Sequence, residues 1–364
     1  MRTLIFAFLG FVLLGSTACN PKPAAPVSPY ATAIDSSRTW VQDLVASKNF
    51  PGAGVAVSVG RELIWSEGFG YADIASGKTI DPAKTLFRVG SISKPYTAAG
   101  LARLYEDGRI DLDTSVYVYV PDFPKKPFDF NLRQLGGHLA GIRHYKGDEF
   151  SMNQYFATVT EGLDIFKNDT LLFEPGTQYT YSSYGWNLIS AAMEAVTDEP
   201  FLDYIQTAVF DPLDMKQTFP EYSSNTYPER VSFYMQSADG QNEIAPTVDN
   251  SYKWAGGGFI STPEDVVRFG EGHLSAGYLQ EATLSMFTTS QRTADGVPTN
   301  YGIGWRSGTD DKGRYWYGHS GGSVGGTSWM VVYPEEEVVV VVLVNLSGAD
   351  FDDIQLKIAD AFIK

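Results

Sequence analysis

Seven consecutive apolar residues, Val338–Val344, restrict the fold of this chain more than any other stretch. A run of this length is too short to cross a bilayer, which needs about 20 residues. Valine favours strands, and an apolar side chain at every position, instead of every second one, is typical of a strand buried on both faces. The run therefore predicts a strand in the core of the protein, not a membrane segment.

Further strand patterns lie near both ends of the chain. Residues 55–59 and 62–67 are strand-like, and the Gly-Arg pair at 60–61 between them is typical of a two-residue hairpin turn. Residues 315–319 and 327–333 show strand patterns shortly before the apolar run. Strands at the two ends of the chain can therefore belong to the same sheet.

The segment between these strands has mainly helical patterns. Thr262-Pro263 opens one helix with an N-cap and a proline in the first turn. Other helical patterns cover residues 36–47, 95–106, 187–197, 201–210 and 350–363. The order of strands, helices and strands predicts an α+β fold. One antiparallel sheet would be built from both chain ends and flanked by helices, with a mainly helical region inserted.

The same division predicts the boundaries of the domain. Residues 36–364 would fold as one unit, with the sheet region at 36–90 and 225–364 and the mainly helical region at 91–224. A chain of 364 residues is long enough for two such regions. In front of the domain, residues 19–35 are rich in proline and alanine, which predicts a flexible tether.

The first 18 residues predict a signal peptide. A positive start is followed by 12 apolar residues and by Ser16-Thr17-Ala18, which are small enough for a cleavage point. Cys19 follows at once and resembles the lipid-modified cysteine of bacterial lipoproteins, although Ser16 stands where leucine is usual. Lipidation of Cys19 and plain cleavage after Ala18 both stay open. Either one predicts an exported bacterial protein, periplasmic or anchored in the membrane as a lipoprotein.

The charge of the chain excludes one class of partner. It carries 43 acidic and 27 basic residues, a formal net charge of −16, and no basic run. Nucleic acid needs a basic face on its partner, so we do not expect it to bind. We expect a small-molecule or peptide substrate, with membrane attachment through a lipidated Cys19 left open. A single cysteine also excludes an internal disulfide.

The tetrapeptide Ser91-Ile92-Ser93-Lys94 carries the strongest chemical signal. It lies at the start of the helical run 95–106, so Ser91 and Lys94, one turn apart, share one face of the helix. A lysine amine beside a serine hydroxyl is one of the few ways to make that hydroxyl attack a carbonyl. On its own the pattern is common, and an N-cap with a solvated lysine would explain a bare match better.

Two further motifs favour the catalytic interpretation of Ser91 and Lys94 over the N-cap interpretation. Tyr181-Ser182-Ser183 precedes a helix, and the sequence Gly-His-Ser-Gly-Gly at 318–322 lies near a strand end. With the three motifs in this order, the chain closely resembles the serine β-lactamase and penicillin-binding protein family. It is most similar to the class C β-lactamase and esterase branch, including the mitochondrial serine β-lactamase-like proteins. Further landmark sequences lie at 65–73, 133–135, 138–145, 212–215 and 256–262.

The resemblance implies a role for each motif residue. Ser91 would accept the acyl group, Lys94 would take or share its proton, and Tyr181 would be the second proton carrier. Which of Lys94 and Tyr181 is the general base stays open. The backbone N–H groups of Ser91 and Gly322 would form the oxyanion hole. The substrate-binding residues implied are Ser183, His319, Ser320 and Gly321.

Two positions depart from the family pattern. Ser183 stands where the family has asparagine, and His319 where it has lysine. A mostly neutral imidazole binds a carboxylate more weakly than an ammonium, so we expect poor β-lactam hydrolysis and better turnover of esters or peptides. The predicted function is an exported serine hydrolase that forms an acyl-enzyme on an ester, amide or peptide carbonyl. A true β-lactamase or D-alanyl-D-alanine carboxypeptidase, and a catalytically silent scaffold, stay as alternatives.

Two other interpretations of the same residues are less favourable. Ser320 lies in a Gly-x-Ser-x-Gly pattern, but the α/β-hydrolase elbow needs a helix after the serine and a later histidine, and none follows His319. His138 and His144 have no further ligand cluster nearby, so we interpret both, and His273, as structural histidines. We expect neither a metal nor an organic cofactor.

Overall fold

The computed structural model describes residues 28–364. The predicted signal peptide, Cys19 and the first part of the predicted tether lie outside the described residues. The end of that tether is helical instead, because the first helix begins at Ala31 and not at residue 36. Tyr30 stacks on Phe362 with 5.8 Å between ring centroids, and Ala33 is buried, so residues 31–35 pack against the C-terminal helix.

The strands form one large sheet and two small ones. They are β1 (Gly52–Val59), β2 (Glu62–Asp73), β3 (Lys78–Thr79), β4 (Phe87–Arg88), β5 (Phe219–Pro220), β6 (Tyr234–Gln236), β7 (Asn242–Ile244), β8 (Phe259–Ser261), β9 (Arg306–Thr309), β10 (Tyr315–Ser323), β11 (Gly326–Tyr333) and β12 (Val338–Val344). The large sheet has the order β3-β2-β1-β12-β11-β10-β9 and is antiparallel throughout. It combines both ends of the chain, as the sequence predicts.

The helices cover this sheet and fill the inserted region. They are α1 (Ala31–Ser47), α2 (Ser93–Glu106), α3 (Val116–Tyr119), α4 (Leu132–Gly136), α5 (Val159–Leu163), α6 (Tyr184–Thr197), α7 (Phe201–Ile205), α8 (Trp254–Gly257), α9 (Pro263–Gly272), α10 (Glu281–Thr288) and α11 (Ile354–Phe362). Thr262 caps α9 as predicted, since its side chain accepts a hydrogen bond from the Asp265 N–H. Together these elements form the α+β fold that the sequence predicts.

The apolar run β12 lies at the centre of the sheet and is buried along its whole length. Its side chains alternate between two cores, because successive residues of a strand point to opposite faces. Val338, Val340 and Val342 pack in the core under the terminal helices α1 and α11. Val339 and Val341 pack on the other face, where α9 lies. Burial on both faces is therefore confirmed.

Other predicted helices also differ at their boundaries, and α2 begins at Ser93, two residues before the predicted start. Helix α6 begins at Tyr184, before residue 187, and the predicted helix 201–210 continues after α7 as a π-helical turn. Helix α11 begins only at Ile354, because Asp352 and Asp353 have left-handed backbone conformations, with φ angles of 48° and 55°. The Asp352 carboxylate also bonds Lys48 at 2.9 Å, which ties this turn to the end of α1.

Helix α2 positions the chemistry of the protein. It runs through the middle of the molecule and contacts α6, α7, α8 and α10. Most of its side chains are fully buried, including Tyr96 and Leu101. A helix packed on all sides cannot shift easily, so the residues at its first turn are held rigidly. Among residues 28–364, none of the helices is both long enough and apolar enough to cross a membrane.

Candidate active site

Ser91 lies in a single 3-10 turn, Gly90–Ile92, between β4 and α2. The turn forms because Gly90 takes a left-handed backbone angle, φ 51°, which glycine adopts without strain. The Ser93 hydroxyl donates to the Gly90 carbonyl oxygen at 2.7 Å and joins this turn to the first residue of α2. Ser91 is partly exposed and lines a pocket. The sequence-predicted nucleophile thus lies at the mouth of a helix.

Gly90 also brings Ser91 close to strand β10. A Cβ atom added to Gly90 would lie 2.7 Å from the carbonyl oxygen and 2.8 Å from the nitrogen of Gly322. Only a glycine allows two backbones to approach so closely. Ser91 and Gly322, the residues of the predicted oxyanion hole, are therefore neighbours. Two backbone N–H groups at such a place can stabilise the negative oxygen of a tetrahedral intermediate.

Lys94 is fully buried and has three polar contacts. Its Nζ lies 3.0 Å from Ser91 Oγ, 3.0 Å from Ser183 Oγ and 2.6 Å from the carbonyl oxygen of Gly256. A neutral amine has two N–H donors and one lone pair, which match these partners if the Ser91 hydroxyl donates to the lone pair. An ammonium, with three donors, fits the same three atoms. A proton can therefore move from Ser91 to Lys94 without a change of contacts.

The surroundings of Lys94 lower its pKa well below the usual value for lysine. Burial is the largest cause, because it removes water from the charged form, and the positive charges of Lys253 and Arg306 act in the same direction. A lowered pKa increases the fraction of neutral amine near pH 7. Only the neutral amine can accept a proton from Ser91, so both geometry and charge suit Lys94 to the predicted role.

Tyr181 packs beside Lys94 at the entrance to α6. The Lys94 Nζ lies 4.9 Å from the centroid of the Tyr181 ring, and the His138 ring packs against Tyr181 with 4.3 Å between centroids. Burial raises the pKa of the Tyr181 phenol, and its hydrogen bond with the Ser91 hydroxyl offsets part of this rise. The phenol therefore keeps its proton at neutral pH. This suits Tyr181 to donate a proton to a leaving group.

Ser183 lines the pocket, but its hydroxyl is already engaged. Ser183 Oγ accepts the hydrogen bond from Lys94, and the residue is only 2% exposed. Its backbone N–H donates to Nδ1 of His144 at 3.1 Å. The serine at this position thus holds Lys94 and orients His144. The buried Ser183 hydroxyl therefore cannot replace the side-chain amide of an asparagine, which would bind an amide group of the substrate.

His319 and Gly321 do not reach the pocket, although the sequence analysis places them among the substrate-binding residues. The His319 ring is fully buried, with Nε2 2.7 Å from the Tyr301 hydroxyl and Nδ1 2.5 Å from the Ser320 carbonyl oxygen. A Cβ atom added to Gly321 would lie 2.0 Å from the Val89 carbonyl oxygen, so Gly321 packs against that segment. Alternation along β10 is the physical reason, since every second residue points away.

The other two residues of this motif do line the pocket. Ser320 and Gly322 alternate with His319 and Gly321 along β10 and border the same space as Ser91. Ser320 lies inside a strand that is followed by another strand, β11, and not by a helix. This arrangement excludes the α/β-hydrolase elbow, in agreement with the sequence analysis.

The pocket in front of Ser91 has a volume of about 240 Å³. Several of its lining residues were not assigned to a substrate by the sequence analysis. These are His144, Tyr145, Phe150, Lys253 and Arg306. They come from three separate segments, so only the folded chain brings them together. They give the pocket an aromatic wall and two basic side chains.

His144 is a hydrogen-bond donor in this wall. Its Nδ1 accepts from the Ser183 N–H, so the neutral ring carries its proton on Nε2. Burial lowers the pKa of His144 to about 4, and the nearby charges of Lys94 and Lys253 add to the effect. The ring is therefore neutral at pH 7. The loop that carries it is held by the buried Arg143, which bonds Glu149 at 2.7 and 2.9 Å.

Lys253 precedes α8 and is only 2% exposed. Its Nζ donates to the Phe150 carbonyl oxygen at 3.3 Å and lies 4.6 Å from the Phe150 ring centroid and 5.1 Å from that of Tyr252. Burial lowers the pKa of Lys253 to about 7, and the charge of Arg88 lowers it further, while Glu221 opposes the shift. Its charge therefore changes within the physiological range.

Arg306 is the first residue of β9 and pairs with Gly318 of β10. Its guanidinium carbon lies 5.9 Å from the centroid of the Tyr181 ring. Its Nε is buried and has no hydrogen-bond partner among the described residues. Nothing in the sequence signals this position, because it depends on the register between a short edge strand and β10. Arg306 adds a permanent positive charge beside the predicted acid.

A buried salt bridge supports the site from below. Arg88, at the end of β4, bonds Glu221 through Nε at 2.6 Å and Nη2 at 2.9 Å, and it donates to the Val324 carbonyl oxygen at 2.6 Å. Arg230 and Asn250 contact the same Glu221 carboxylate. This network ties the residues before Ser91 to the end of β10, and hence to the segment that carries Gly322.

The remaining histidines have structural surroundings, as the sequence analysis expects. His138 is buried between Tyr181 and Tyr301, and its Nδ1 accepts from the Ser182 N–H at 3.1 Å. His273 is buried with Nδ1 2.7 Å from the Phe269 carbonyl oxygen. Across residues 28–364, no three side chains of histidine, cysteine, aspartate or glutamate are grouped so that they could hold a metal ion.

The sequence matches known proteins along nearly its whole length. A family model described as Beta-lactamase matches residues 38–363. The chain is 30% identical to the mitochondrial serine beta-lactamase-like protein of Homo sapiens, over 94% of this chain and 82% of that protein. It is 26% identical to penicillin-binding protein 4* of Bacillus subtilis, over 89% of this chain and 74% of that protein.

The fold also matches solved structures. The D-amino acid amidase of Ochrobactrum anthropi, solved with L-phenylalanine amide, superposes with a TM-score of 0.78. The match covers 91% of this chain and 97% of the amidase, with 23% sequence identity. At this identity the similarity describes the fold alone.

Proposed function

The chain belongs to the Beta-lactamase family and is a serine hydrolase of that fold, and we propose that it acts through a Ser91 acyl-enzyme on amide, peptide or ester carbonyls. The observation that carries the proposal is the contact between Lys94 and Ser91 at 3.0 Å, inside a buried site that lowers the pKa of the amine and so favours its neutral form. A neutral lysine beside a serine hydroxyl has a clear chemical use as a base.

Acylation begins with Ser91. Its Oγ forms a bond to the substrate carbonyl carbon while its proton passes to Lys94, and the N–H groups of Ser91 and Gly322 stabilise the oxyanion. The bond to the leaving nitrogen or oxygen then breaks, and Tyr181 gives that atom its proton. The Ser183 hydroxyl, which accepts a hydrogen bond from Lys94 and borders the same pocket as Tyr181, returns the proton from Lys94 to Tyr181. Lys94 is therefore the general base of this step and Tyr181 the acid.

Deacylation uses Lys94 as the base a second time. Water takes the place of the leaving group, gives its proton to the neutral Lys94, and attacks the acyl carbon. The bond to Ser91 Oγ breaks, and Lys94 returns the proton to that oxygen. The enzyme is then restored without any other acid, base or cofactor.

The substrate class within the family is part of the proposal. Ser183 bonds Lys94 and His319 bonds Tyr301, so neither offers the contacts by which an asparagine and a lysine would bind a β-lactam. We expect slow turnover of penicillins and cephalosporins and faster turnover of amides, peptides or activated esters. A relative of the same fold, the Ochrobactrum anthropi amidase, is named for its action on D-amino acid amides, which fits an amide substrate for this chain.

The covalent step can be tested by mass spectrometry. A fluorophosphonate should add one label per chain, and peptide mapping should find the label on Ser91. The matched control is Ser320→Ala, which removes the other pocket serine and should leave labelling intact. Labelling that persists in Ser91→Ala, or a label found on Ser320, would refute the assignment.

Export belongs to the proposal as well and rests on the first 19 residues of the sequence. Expression of the full chain in a bacterium should give a mature protein that starts at Cys19. If the cysteine is lipidated, the wild type should be in the membrane fraction and Cys19→Ser in the soluble periplasmic fraction. A mature protein that retains Met1 would contradict export.

A further inference from the structure

A second cavity lies apart from the Ser91 pocket, at the place where the end of α6 and the starts of α7 and α8 meet. It has a volume of about 570 Å³, against about 240 Å³ for the Ser91 pocket, and no residue lines both. Cavities that bind small molecules have volumes of about 300–1,000 Å³. We call it the acidic cavity because four carboxylates line it, those of Glu194, Asp198, Glu199 and Asp203.

The four carboxylates have no basic partner. None of them takes part in the salt bridges formed among residues 28–364. Glu194 and Asp198 also lie at the C-terminal end of α6, whose last turn contains no basic residue. The backbone carbonyl groups give this end of a helix a partial negative charge, so carboxylates are unfavourable there. Arg109 donates to the Val196 carbonyl oxygen at 2.8 Å but pairs with none of the four. A bound cation would neutralise this excess of negative charge.

Glu194 shows the cost of the arrangement. One oxygen of its carboxylate accepts a hydrogen bond from the Phe201 N–H at 2.8 Å. Burial nevertheless raises the pKa of Glu194, because the charged form has lost water without gaining a counter-charge. A cation held in the cavity would stabilise the charged form and offset this cost.

Aromatic side chains line the same cavity, namely Phe201, Tyr222 and Trp254. The rings of Tyr222 and Trp254 pack with 5.5 Å between centroids, and aromatic faces attract organic cations. Trp254 is only 3% exposed, and its Nε1–H has no hydrogen-bond acceptor among the described residues. A buried donor without an acceptor costs free energy, which an oxygen atom of a ligand would remove. This unpartnered donor points to a ligand independently of the carboxylates.

We propose that the acidic cavity binds a small organic ammonium ion that has an apolar body and an oxygen acceptor. The carboxylates attract the ammonium, the aromatic rings contact the apolar body, and the Trp254 Nε1–H donates to the oxygen. The Ser91 pocket has the opposite charge, since Lys253 and Arg306 line it, and does not suit such a ligand. The inference is independent of the proposed function, because no step of the hydrolysis uses the residues of the acidic cavity.

The test uses phenylalaninol, which carries an ammonium, an aromatic ring and a hydroxyl, and contains no ester or amide. Isothermal titration calorimetry of the purified protein should show one site per chain that fills at millimolar concentration or below. The corresponding phenylpropanol, which lacks only the amine, should bind roughly 10-fold more weakly or not at all. Glu194→Gln and Asp203→Asn should each weaken the binding of phenylalaninol several-fold, and the double variant roughly 10-fold. Trp254 is left unchanged, because it begins α8, whose Gly256 carbonyl oxygen bonds Lys94.

The matched control is the double variant Glu62→Gln/Asp122→Asn. It removes two exposed carboxylates that lie outside the acidic cavity, so the binding of phenylalaninol should not change. Circular dichroism confirms that both double variants are folded. No binding by wild type, equal binding of the amine and the alcohol, or an equal loss of affinity in the two double variants would overturn the inference. None of these results would affect the labelling of Ser91 by a fluorophosphonate, which tests the proposed function separately.

Discussion

Two groups of basic residues lie near Ser91, and they differ in their counter-charges. Below Ser91, Arg88 is bonded at two points to Glu221, and both side chains are at most 5% exposed. In the pocket, Lys94, Lys253 and Arg306 form no salt bridge with any carboxylate of residues 28–364. The first group is buried and paired, whereas the second is partly or fully buried and unpaired.

The presence or absence of a counter-charge distinguishes the residues that support the site from those proposed to act in the reaction. A paired buried charge is costly to disrupt, so the Arg88–Glu221 network fixes the backbone before Ser91 in one position. Unpaired charges act on each other instead, and the positive charges of Lys253 and Arg306 lower the pKa of Lys94. Basic side chains therefore have two roles here. Those bonded to a carboxylate hold the backbone in place, and those without one lower the pKa of Lys94. Variants that remove one residue from either group test whether the two roles are separate.

The largest effect is expected from removing the unpaired base. Lys94→Ala should lower kcat/KM on the order of 10³- to 10⁴-fold, about 4–5.5 kcal/mol, because Ser91 loses its proton acceptor. Steady-state kinetics with an activated ester measure the loss, and circular dichroism confirms that the variant is folded. A folded Lys94→Ala enzyme with more than a tenth of wild-type activity would contradict the role of Lys94.

The next effect is expected from breaking the paired group. Glu221→Ala should lower the free energy of unfolding by about 3–5 kcal/mol, because it leaves Arg88 buried without a counter-charge. Denaturant unfolding measures this change. The matched control is Glu229→Ala, which removes half of an exposed salt bridge to Lys78 and should cost less than about 1 kcal/mol. An equal loss of unfolding free energy in the two variants would show that the buried Arg88–Glu221 pair stabilises the fold no more than an exposed salt bridge does.

A smaller effect is expected from the proton donor. Tyr181→Phe keeps the ring that packs against His138 but removes the phenol, and kcat should fall on the order of 10²-fold, about 2.7 kcal/mol. The loss should be greater for an anilide than for a nitrophenyl ester, because a nitrophenolate leaves without a proton. An equal loss for both substrates would argue against a role of Tyr181 in protonating the leaving group.

The smallest effect concerns pH. If Lys94 is the base, as proposed, activity should fall as the pH decreases through the lowered pKa of this residue. Lys253→Met removes a neighbouring positive charge and should raise the pKa of Lys94, which moves the acidic limb of kcat/KM to higher pH. The cost at low pH should be a few-fold, on the order of 1 kcal/mol. Unchanged profiles would show that Lys253 does not influence Lys94.

Sequence reasoning succeeds where local geometry decides. The residues Val338–Val344 are apolar at every position, and no fold leaves such a strand exposed on either face. The spacing of Ser91 and Lys94 fixes them on one side of a helix in any fold, which the contact of 3.0 Å bears out. In both cases the periodicity of a single strand or helix is enough to predict where the side chains lie.

It does not succeed where register or loop shape decides. Arg306 lies beside Tyr181 because a four-residue edge strand pairs with β10 in one register, which no local pattern specifies. Lys253 reaches the pocket through a short 3-10 turn before α8. The orientation of His319 is a different case. The alternation of side chains along β10 could have separated it from Ser320, had the strand been extended through the motif.

The position of β12 has a consequence for the time at which the protein can fold. The central strand β12 follows all the other strands along the chain, whereas its neighbour β1 precedes them. At 5–20 residues per second, β1 waits roughly 15 to 60 seconds for its partner. During synthesis the hairpin of β1 and β2 therefore has an open edge and an uncovered apolar face. The chain can become a hydrolase only after β12 has been synthesised.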